Sequence, residues 1–223
     1  MYTISDIDGI IFDMDGVIFD SELIALESWV KLGEKYGLTN VEQNAKKCIG
    51  RSTKDTMRIL DEAYGDKVSI TELYGECKAI VKKIIAERGL PVKSGATELL
   101  KWLGDNNVKI GLASSTAHDT VVRQLTAAGL IGHFQIIVGG DMIEHSKPCP
   151  DIYLLACERL GVRPEKTFAV EDSYNGILAA HAAGMMPILV PDLIEPNEEM
   201  LDKSYRKFDS LGVMLEELRS TGV

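Results

Sequence analysis

The stretch Ile10-Ile11-Phe12-Asp13-Met14-Asp15-Gly16-Val17 decides the fold, because an apolar run is followed at once by two aspartates and a glycine. A short apolar run bounded by turn residues is typical of a strand that is buried on both faces of a parallel sheet. In open α/β sheets, ligands bind just outside the carboxyl ends of the strands. Asp13 and Asp15 are therefore predicted to lie where a substrate binds.

The two aspartates favour a particular chemistry. Neighbouring carboxylates repel each other unless a cation joins them, and Mg²⁺ is the cation that best suits hard oxygen ligands. A carboxylate beside Mg²⁺ can attack phosphorus, and a carboxyl two residues further on can exchange a proton with the leaving or attacking oxygen. The alternative is a turn with two solvated aspartates, and an isolated Asp-x-Asp favours that alternative. Other segments must decide between the two.

Composition and length limit the class of protein. The chain has 223 residues, which suits one large domain or two unequal ones. Its net charge of -10 argues against a nucleic-acid-binding surface. No signal pattern and no run of about 18 apolar residues is present, so we expect no membrane association. The four cysteines lack zinc-site spacing, which predicts reduced thiols and a cytoplasmic location; they are Cys48, Cys77, Cys149 and Cys157.

Helical periodicity follows the first strand without any convincing strand pattern. One amphipathic face runs from Leu23 to Leu32, and further helices are predicted over Thr53–Tyr64 and Thr71–Ala86. We therefore predict a small all-α domain over residues 19–88, inserted between residues 1–18 and 89–223 of a larger domain.

The segment after Pro91 alternates strands with helices. The predicted strands are Val108–Ala113, Ile136–Val138, Thr167–Val170 and Pro187–Val190, and the predicted helices are Ala96–Leu103, Thr120–Ala128, Asp151–Leu160 and Gly176–Ala183. Such alternation predicts an α/β fold, a Rossmann-like parallel sheet with helices on both faces. The tail from Glu195 to Val223 is predicted to be a connection and a final helix.

Polar residues follow the other predicted strands, and their positions test the magnesium hypothesis. Ser114, Ser115 and Thr116 could bind phosphate oxygens, although an N-cap cluster is the simpler interpretation of these residues alone. Lys147 could neutralise phosphoryl charge, although any single loop lysine is usually solvated. Glu171 and Asp172 form a second acidic strand end, which could also cap a helix. Together with Asp13, these strand ends supply the groups that hold magnesium and phosphate.

With these four segments in order, the sequence resembles the haloacid dehalogenase superfamily, in the branch of β-phosphoglucomutase-like sugar-phosphate phosphatases with a helical cap. The resemblance covers essentially the whole chain and implies an aspartyl-phosphate intermediate on Asp13, with Asp15 as the general acid and base. It implies that Mg²⁺ is held by Asp13, the backbone carbonyl of Asp15, and Asp172, with Glu171 as a ligand or beside one. Ser114, Ser115 and Lys147 would bind the transferring phosphoryl group.

The resemblance also separates a phosphatase from a mutase. The histidine that β-phosphoglucomutases carry ten residues after the acid/base aspartate is Ala25 here, and their cap-loop arginine corresponds to Thr53. A lysine and an asparagine of the mutases correspond to Ala117 and His118. All these differences remove groups suited to a bisphosphate. We therefore expect a monophosphate phosphatase, with a mutase or a non-catalytic binding protein of the same fold as alternatives and a dehalogenase conceivable by fold analogy.

Two residues of the inserted domain are candidates for substrate contact. Arg51 could anchor the substrate or be an exposed charge beside a helix. Glu22 could bind a sugar hydroxyl or begin the first inserted helix as a favourable N-terminal acid. The expected partner is a small phosphorylated metabolite, and the expected assembly is a monomer or a weak homodimer.

Overall fold

The structure is a computed structural model that describes residues 6–49 and 53–220. The chain divides into two compact units, one comprising Met1–Phe19 with Pro91–Val223 and the other Asp20–Leu90. The first unit contains the sheet, whereas the described residues of the second form only helices and their connections. The unit boundaries lie one and two residues beyond the positions that we predicted.

The sheet is parallel throughout the described residues and confirms the predicted α/β class. Its strands are β1 (Gly9–Phe12), β2 (Ile110–Ser114), β3 (Ile136–Gly139), β4 (Thr167–Glu171), β5 (Met186–Leu189) and β6 (Arg206–Lys207). They lie in the order β3-β2-β1-β4-β5-β6. The order reverses between β1 and β4, and ligands bind at such a switch point in open α/β sheets.

The α-helices occupy most of the remaining described chain. They are α1 (Ser21–Tyr36), α2 (Val41–Lys46), α3 (Thr53–Tyr64), α4 (Ile70–Arg88), α5 (Ala96–Asp105), α6 (His118–Ala127), α7 (Asp151–Leu160), α8 (Tyr174–Ala182), α9 (Glu198–Lys203) and α10 (Leu211–Ser220). None of these helices is both long enough and apolar enough to cross a membrane.

Alternating side chains of the central strands build the core of the first unit. Ile11, Ala113 and Ala169 pack with apolar residues of α7 and α8 on one face of the sheet. Because neighbouring strand residues point to opposite faces of a sheet, Ile10 and Phe12 point to the other face. Helix α5 also contacts the sheet, at β2. Because each central strand is covered twice, its sequence is continuously apolar and its polar residues are confined to its end.

The helices of the second unit enclose a core of their own. Trp29 and Leu32 of α1 pack with Leu60 of α3 and Leu73 of α4. All four side chains are buried, and the spacing of three residues places Trp29 and Leu32 on the same face of α1. The unit therefore has the apolar interior expected of a separate helical domain.

A buried ion pair ties the segment after α4 to the loop after β5. Lys93 Nζ pairs with Asp192 Oδ1, and the two side chains are 21% and 6% exposed. The backbone N–H of Lys93 donates to the carbonyl of Ile18 at 2.9 Å. This bond joins the segment that precedes the inserted helices to the segment that follows them. Asp192 Oδ2 has no hydrogen-bond partner among the described residues. The buried carboxylate therefore depends on Lys93 for compensation of its charge.

Lys93→Met is expected to lower the free energy of unfolding by about 3 kcal/mol, because it leaves the Asp192 charge buried and unpaired. Replacing Asp192 by Leu in the same chain should recover most of this loss. Urea denaturation measures both effects. The control is Lys101→Met, which breaks an exposed pair with Asp105 and should cost less than about 1 kcal/mol. Equal losses for the two lysines would contradict the prediction.

Candidate active site

A buried lysine joins two of the strand ends that the sequence singles out. Asp13 follows β1 directly, and its backbone N–H donates to the Val170 carbonyl of β4 at 2.9 Å. Lys147 lies in the connection between β3 and α7, and its Nζ donates to Asp13 Oδ1 at 2.5 Å and to Glu171 Oε1 at 2.6 Å. It also approaches the Ala113 carbonyl, at 3.3 Å. Thus β1, β2 and β4 all contribute atoms to the surroundings of one ammonium group.

Glu171 is the last residue of β4 and is completely buried. Its Oε1 accepts hydrogen bonds from Lys147 Nζ and from the Tyr153 hydroxyl, both at 2.6 Å. Its Oε2 accepts from the backbone N–H groups of Asp172 and Ser173 at 3.2 and 3.3 Å, and from the Ser173 hydroxyl at 3.1 Å. Both oxygens of this buried carboxyl group are therefore occupied as hydrogen-bond acceptors.

A third carboxylate, that of Asp172, completes an acidic cluster. One oxygen each from Asp13, Glu171 and Asp172 lies within 4.8 Å of the other two. The approach of Asp172 depends on Gly16, because a Cβ at that position would lie 2.1 Å from Asp172 Oδ2. Gly16 also adopts φ +81°, in the left-handed region that side chains disfavour. The Asp-x-Asp-Gly sequence therefore supplies both a carboxylate and the space for its neighbour.

Burial dominates the electrostatics of Asp13 and raises its pKa to about 8, with Glu171 and Asp15 acting in the same direction and Lys147 opposing them. Burial lowers the pKa of Lys147, but the attraction of Asp13 and Glu171 outweighs it and places that pKa above its usual range. The cluster holds three carboxyl groups but only one lysine. A cation beside Asp13 would favour its ionised form.

These donors fit a magnesium ion. Carboxylate oxygens are hard ligands of the kind that Mg²⁺ prefers, and Asp13 and Asp172 present them close together. A cation would relieve the repulsion within the cluster, which Lys147 only partly offsets. Glu171 is also near enough to belong to the set, although both of its oxygens already accept hydrogen bonds.

The hydroxyl-bearing loop after β2 lies beside Asp15. The Thr116 hydroxyl donates to Asp15 Oδ2 at 3.1 Å, and the Thr116 backbone N–H donates to Ser114 Oγ at 3.1 Å. Ser114 is fully buried, whereas Ser115 is exposed. The Gly140 N–H donates to the Thr116 carbonyl at 2.9 Å, which attaches the loop to the end of β3. This part of the site therefore has a fixed backbone.

Of the two substrate-contact candidates in the second unit, Glu22 and Arg51, the structure describes only Glu22. Glu22 lies in the first turn of α1, where an acidic side chain is favourable for the helix. Arg51 lies outside the described residues, so its contact with substrate stays a prediction from sequence.

Tyr153 and the bond from Thr116 to Asp15 were not predicted from the sequence. Tyr153 occurs within the apolar face of α7, where periodicity indicates only core packing. Thr116 was noted as a possible phosphate ligand, but no spacing rule indicates that it meets Asp15. Both contacts arise from tertiary structure.

The fold and these contacts define an α/β enzyme with an acidic site that is organised around a lysine. Residues 10–190 match the haloacid dehalogenase-like hydrolase family, and the chain belongs to it. This confirms the resemblance found in the sequence.

Individual relatives agree with that membership. The phosphorylated carbohydrates phosphatase of Thermotoga maritima is 34% identical over 178 residues, which cover 80% of this chain and 82% of the relative. CbbY of Rhodobacter sphaeroides, solved in complex with phosphate, is 26% identical with a TM-score of 0.72 and covers 92% of this chain and 95% of its own. The β-phosphoglucomutase of Clostridium difficile is 27% identical with a TM-score of 0.70, covering 96% and 98%.

Gly16→Ala is expected to weaken Mg²⁺ binding at least about tenfold, because the added methyl group displaces the Asp172 carboxylate. Calorimetric titration with Mg²⁺ measures the change. Gly184→Ala is the matched control, since Gly184 has a similar φ of +75° but no atom within 4 Å of the added Cβ. Both variants should lose about 1 kcal/mol of stability from backbone strain. If they bind Mg²⁺ equally well, Gly16 does not set the position of Asp172.

Proposed function

We propose that this chain is a magnesium-dependent phosphatase of small phosphorylated metabolites, in particular sugar monophosphates, that acts through an aspartyl-phosphate intermediate. The observation that carries the proposal is the buried contact between Asp13 and Lys147 at the carboxyl end of β1, beside the acidic end of β4. The phosphatase from Thermotoga maritima, named for phosphorylated carbohydrates, supports the substrate class.

The reaction uses the two aspartates in succession. The Asp13 carboxylate attacks phosphorus while the bond to the ester oxygen breaks, and Asp15 gives a proton to that leaving oxygen. Water then attacks phosphorus of the aspartyl phosphate and passes a proton to Asp15. The bond to Asp13 breaks, inorganic phosphate is released, and both side chains return to their starting states.

The other site residues bind the transferring group. Lys147 would neutralise charge on the phosphoryl oxygens, while Ser114 and Ser115 donate hydrogen bonds to them. Asp13, Asp172 and the backbone carbonyl of Asp15 would hold Mg²⁺, with Glu171 beside them or among the ligands. When bound, the ion would supply further neutralisation of the phosphoryl oxygens and orient them toward Asp13.

The second unit would serve as the cap of the enzyme and select the substrate. In this proposal residues 19–88 form the cap domain, residues 1–18 and 89–223 form the catalytic domain, and Arg51 and Glu22 contact the part of the substrate that is not transferred. Closure of such a cap excludes water that would compete with the productive reaction.

A mutase is the second candidate, because the Clostridium difficile relative is a β-phosphoglucomutase. The first half-reaction would be the same, but a sugar hydroxyl would replace water in the second. Ala25, Thr53 and Ala117 argue against this activity, since none of them can hold a second phosphate as a charged side chain does. A purely binding role would leave the arrangement of Asp13 and Lys147 without a purpose.

The first test is phosphate release with Mg²⁺ from a panel of sugar and other metabolite monophosphates, with isomerisation of β-glucose 1-phosphate followed in the same reactions. Asp13→Asn should reduce phosphate release at least about 10³-fold, since an amide is a poor nucleophile. The matched control is Asp8→Asn, which removes only a partly exposed partner of Arg163 and should leave turnover unchanged. Appreciable release by folded Asp13→Asn would remove Asp13 from the nucleophile role, and isomerisation by wild type with little release would favour the mutase.

Thr116→Val is expected to slow hydrolysis of substrates with a poor leaving group more than hydrolysis of substrates with a good one. Loss of the hydroxyl removes a hydrogen bond that orients Asp15, which matters when a sugar alkoxide needs a proton. We expect kcat/KM to fall about tenfold for a sugar phosphate but less than about twofold for p-nitrophenyl phosphate, whose leaving group needs little assistance. Thr116→Ser should restore the sugar-phosphate rate. Equal losses for both substrates would mean that Thr116 serves phosphate binding instead.

A further inference from the structure

Tyr153 brings a hydroxyl from α7 to the buried end of the catalytic site. The side chain is completely buried, and its hydroxyl donates to Glu171 Oε1 at 2.6 Å. A phenolic hydroxyl carries one proton to donate, and Glu171 Oε1 is the acceptor that it meets here. Tyr153 is therefore a donor to this carboxylate.

The same carboxylate oxygen also receives Lys147. Glu171 Oε1 lies 2.6 Å from Lys147 Nζ, and the ammonium lies 4.9 Å from the centre of the Tyr153 ring. Tyr153 thus contacts both partners of the Lys147–Glu171 ion pair, with its hydroxyl on the anion and its ring near the cation.

The remaining surroundings of Glu171 restrain its carboxyl group from two further sides. Its second oxygen accepts from the backbone of Asp172 and Ser173, as described above. Gly176 encloses the carboxyl group from another side, because a Cβ there would lie 1.9 Å from Glu171 Cδ. These contacts hold Glu171 with its Oε1 facing Lys147, and Tyr153 donates to the same oxygen.

We propose that Tyr153 is a positioning residue that fixes Glu171 as the partner of Lys147 rather than as a ligand of the metal. This inference rests on the proposed phosphatase function and extends it. The hydrogen bond from Tyr153 draws negative charge away from the lysine side of Glu171, which leaves more of the Lys147 charge available to a phosphoryl group. Asp13 and Asp172 then remain as the carboxylates for Mg²⁺.

The test is Tyr153→Phe, which keeps the ring and removes only the hydroxyl. We expect the affinity for inorganic phosphate, measured by calorimetry with saturating Mg²⁺ and no substrate, to fall between about three- and tenfold. The affinity for Mg²⁺ alone should change less than about twofold, because Tyr153 acts on the lysine side of the site. Thermal unfolding establishes that the variant is folded.

The matched control is Tyr64→Phe, which removes another buried tyrosine hydroxyl that donates to the Thr39 carbonyl at 2.9 Å. That variant should lose stability without any change in phosphate affinity. The proposal would be overturned if Tyr153→Phe bound phosphate as wild type does, if its Mg²⁺ affinity fell as much as its phosphate affinity, or if Tyr64→Phe showed the same loss.

A double-mutant cycle separates an effect through Glu171 from a general one. With Glu171→Gln in place, Tyr153→Phe should change phosphate affinity little further, whereas an undiminished effect of Tyr153→Phe in that background would overturn the proposal. If Tyr153→Phe does not fold, Glu171→Gln is tested alone, and unchanged phosphate affinity there would also overturn it. Phosphate binding needs no turnover, so an inactive wild-type enzyme would refute the proposed function without removing this test.

Discussion

The buried contacts of Lys147 with Asp13 and Glu171 are the interaction on which the rest of the site depends. Two carboxylates at adjacent strand ends would repel each other in an interior with little water, and a lysine held between them relieves part of that repulsion. The parallel sheet supplies the condition for this arrangement, because the register of β1 and β4 places Phe12 opposite Val170 and so brings the residues that follow them together. The fold therefore brings acidic side chains together, and Lys147 reduces the repulsion between them.

Much of the fold could be predicted from the sequence because its signals are local. Helices α3 and α7 begin and end at the predicted residues, and the central strands were found within one or two residues of their ends. Helices α2 and α9 and strand β6 were missed. Each of the two helices has six residues and buries only one described side chain, Ala45 or Met200, so neither produces a readable apolar period. Strand β6 has two residues and takes its place by pairing with β5.

The site was predictable to the extent that its residues stand at strand ends. Asp13, Lys147 and Glu171 were selected in that way, and the structure brings them into contact. Tyr153 was not, because a tyrosine on the buried face of a helix has the same pattern whether or not its hydroxyl meets a carboxylate. The partner of such a group lies far away in sequence, so only tertiary packing identifies it. For Arg51 and Glu22 the residue types are suggestive, but their roles stay predictions.

The position of the inserted helices has a consequence for folding. Strand β1 pairs with β2 through Ile10 and Ile110 and with β4 through Ile10 and Phe168, so both of its neighbours are distant in sequence. Closing loops of that length is entropically costly, and sheets with such pairings form slowly. The helices α1, α3 and α4 need only contacts within the second unit. During synthesis the apolar β1 therefore has no sheet partner until the chain has been made as far as β2, and its second edge stays unpaired until β4 follows.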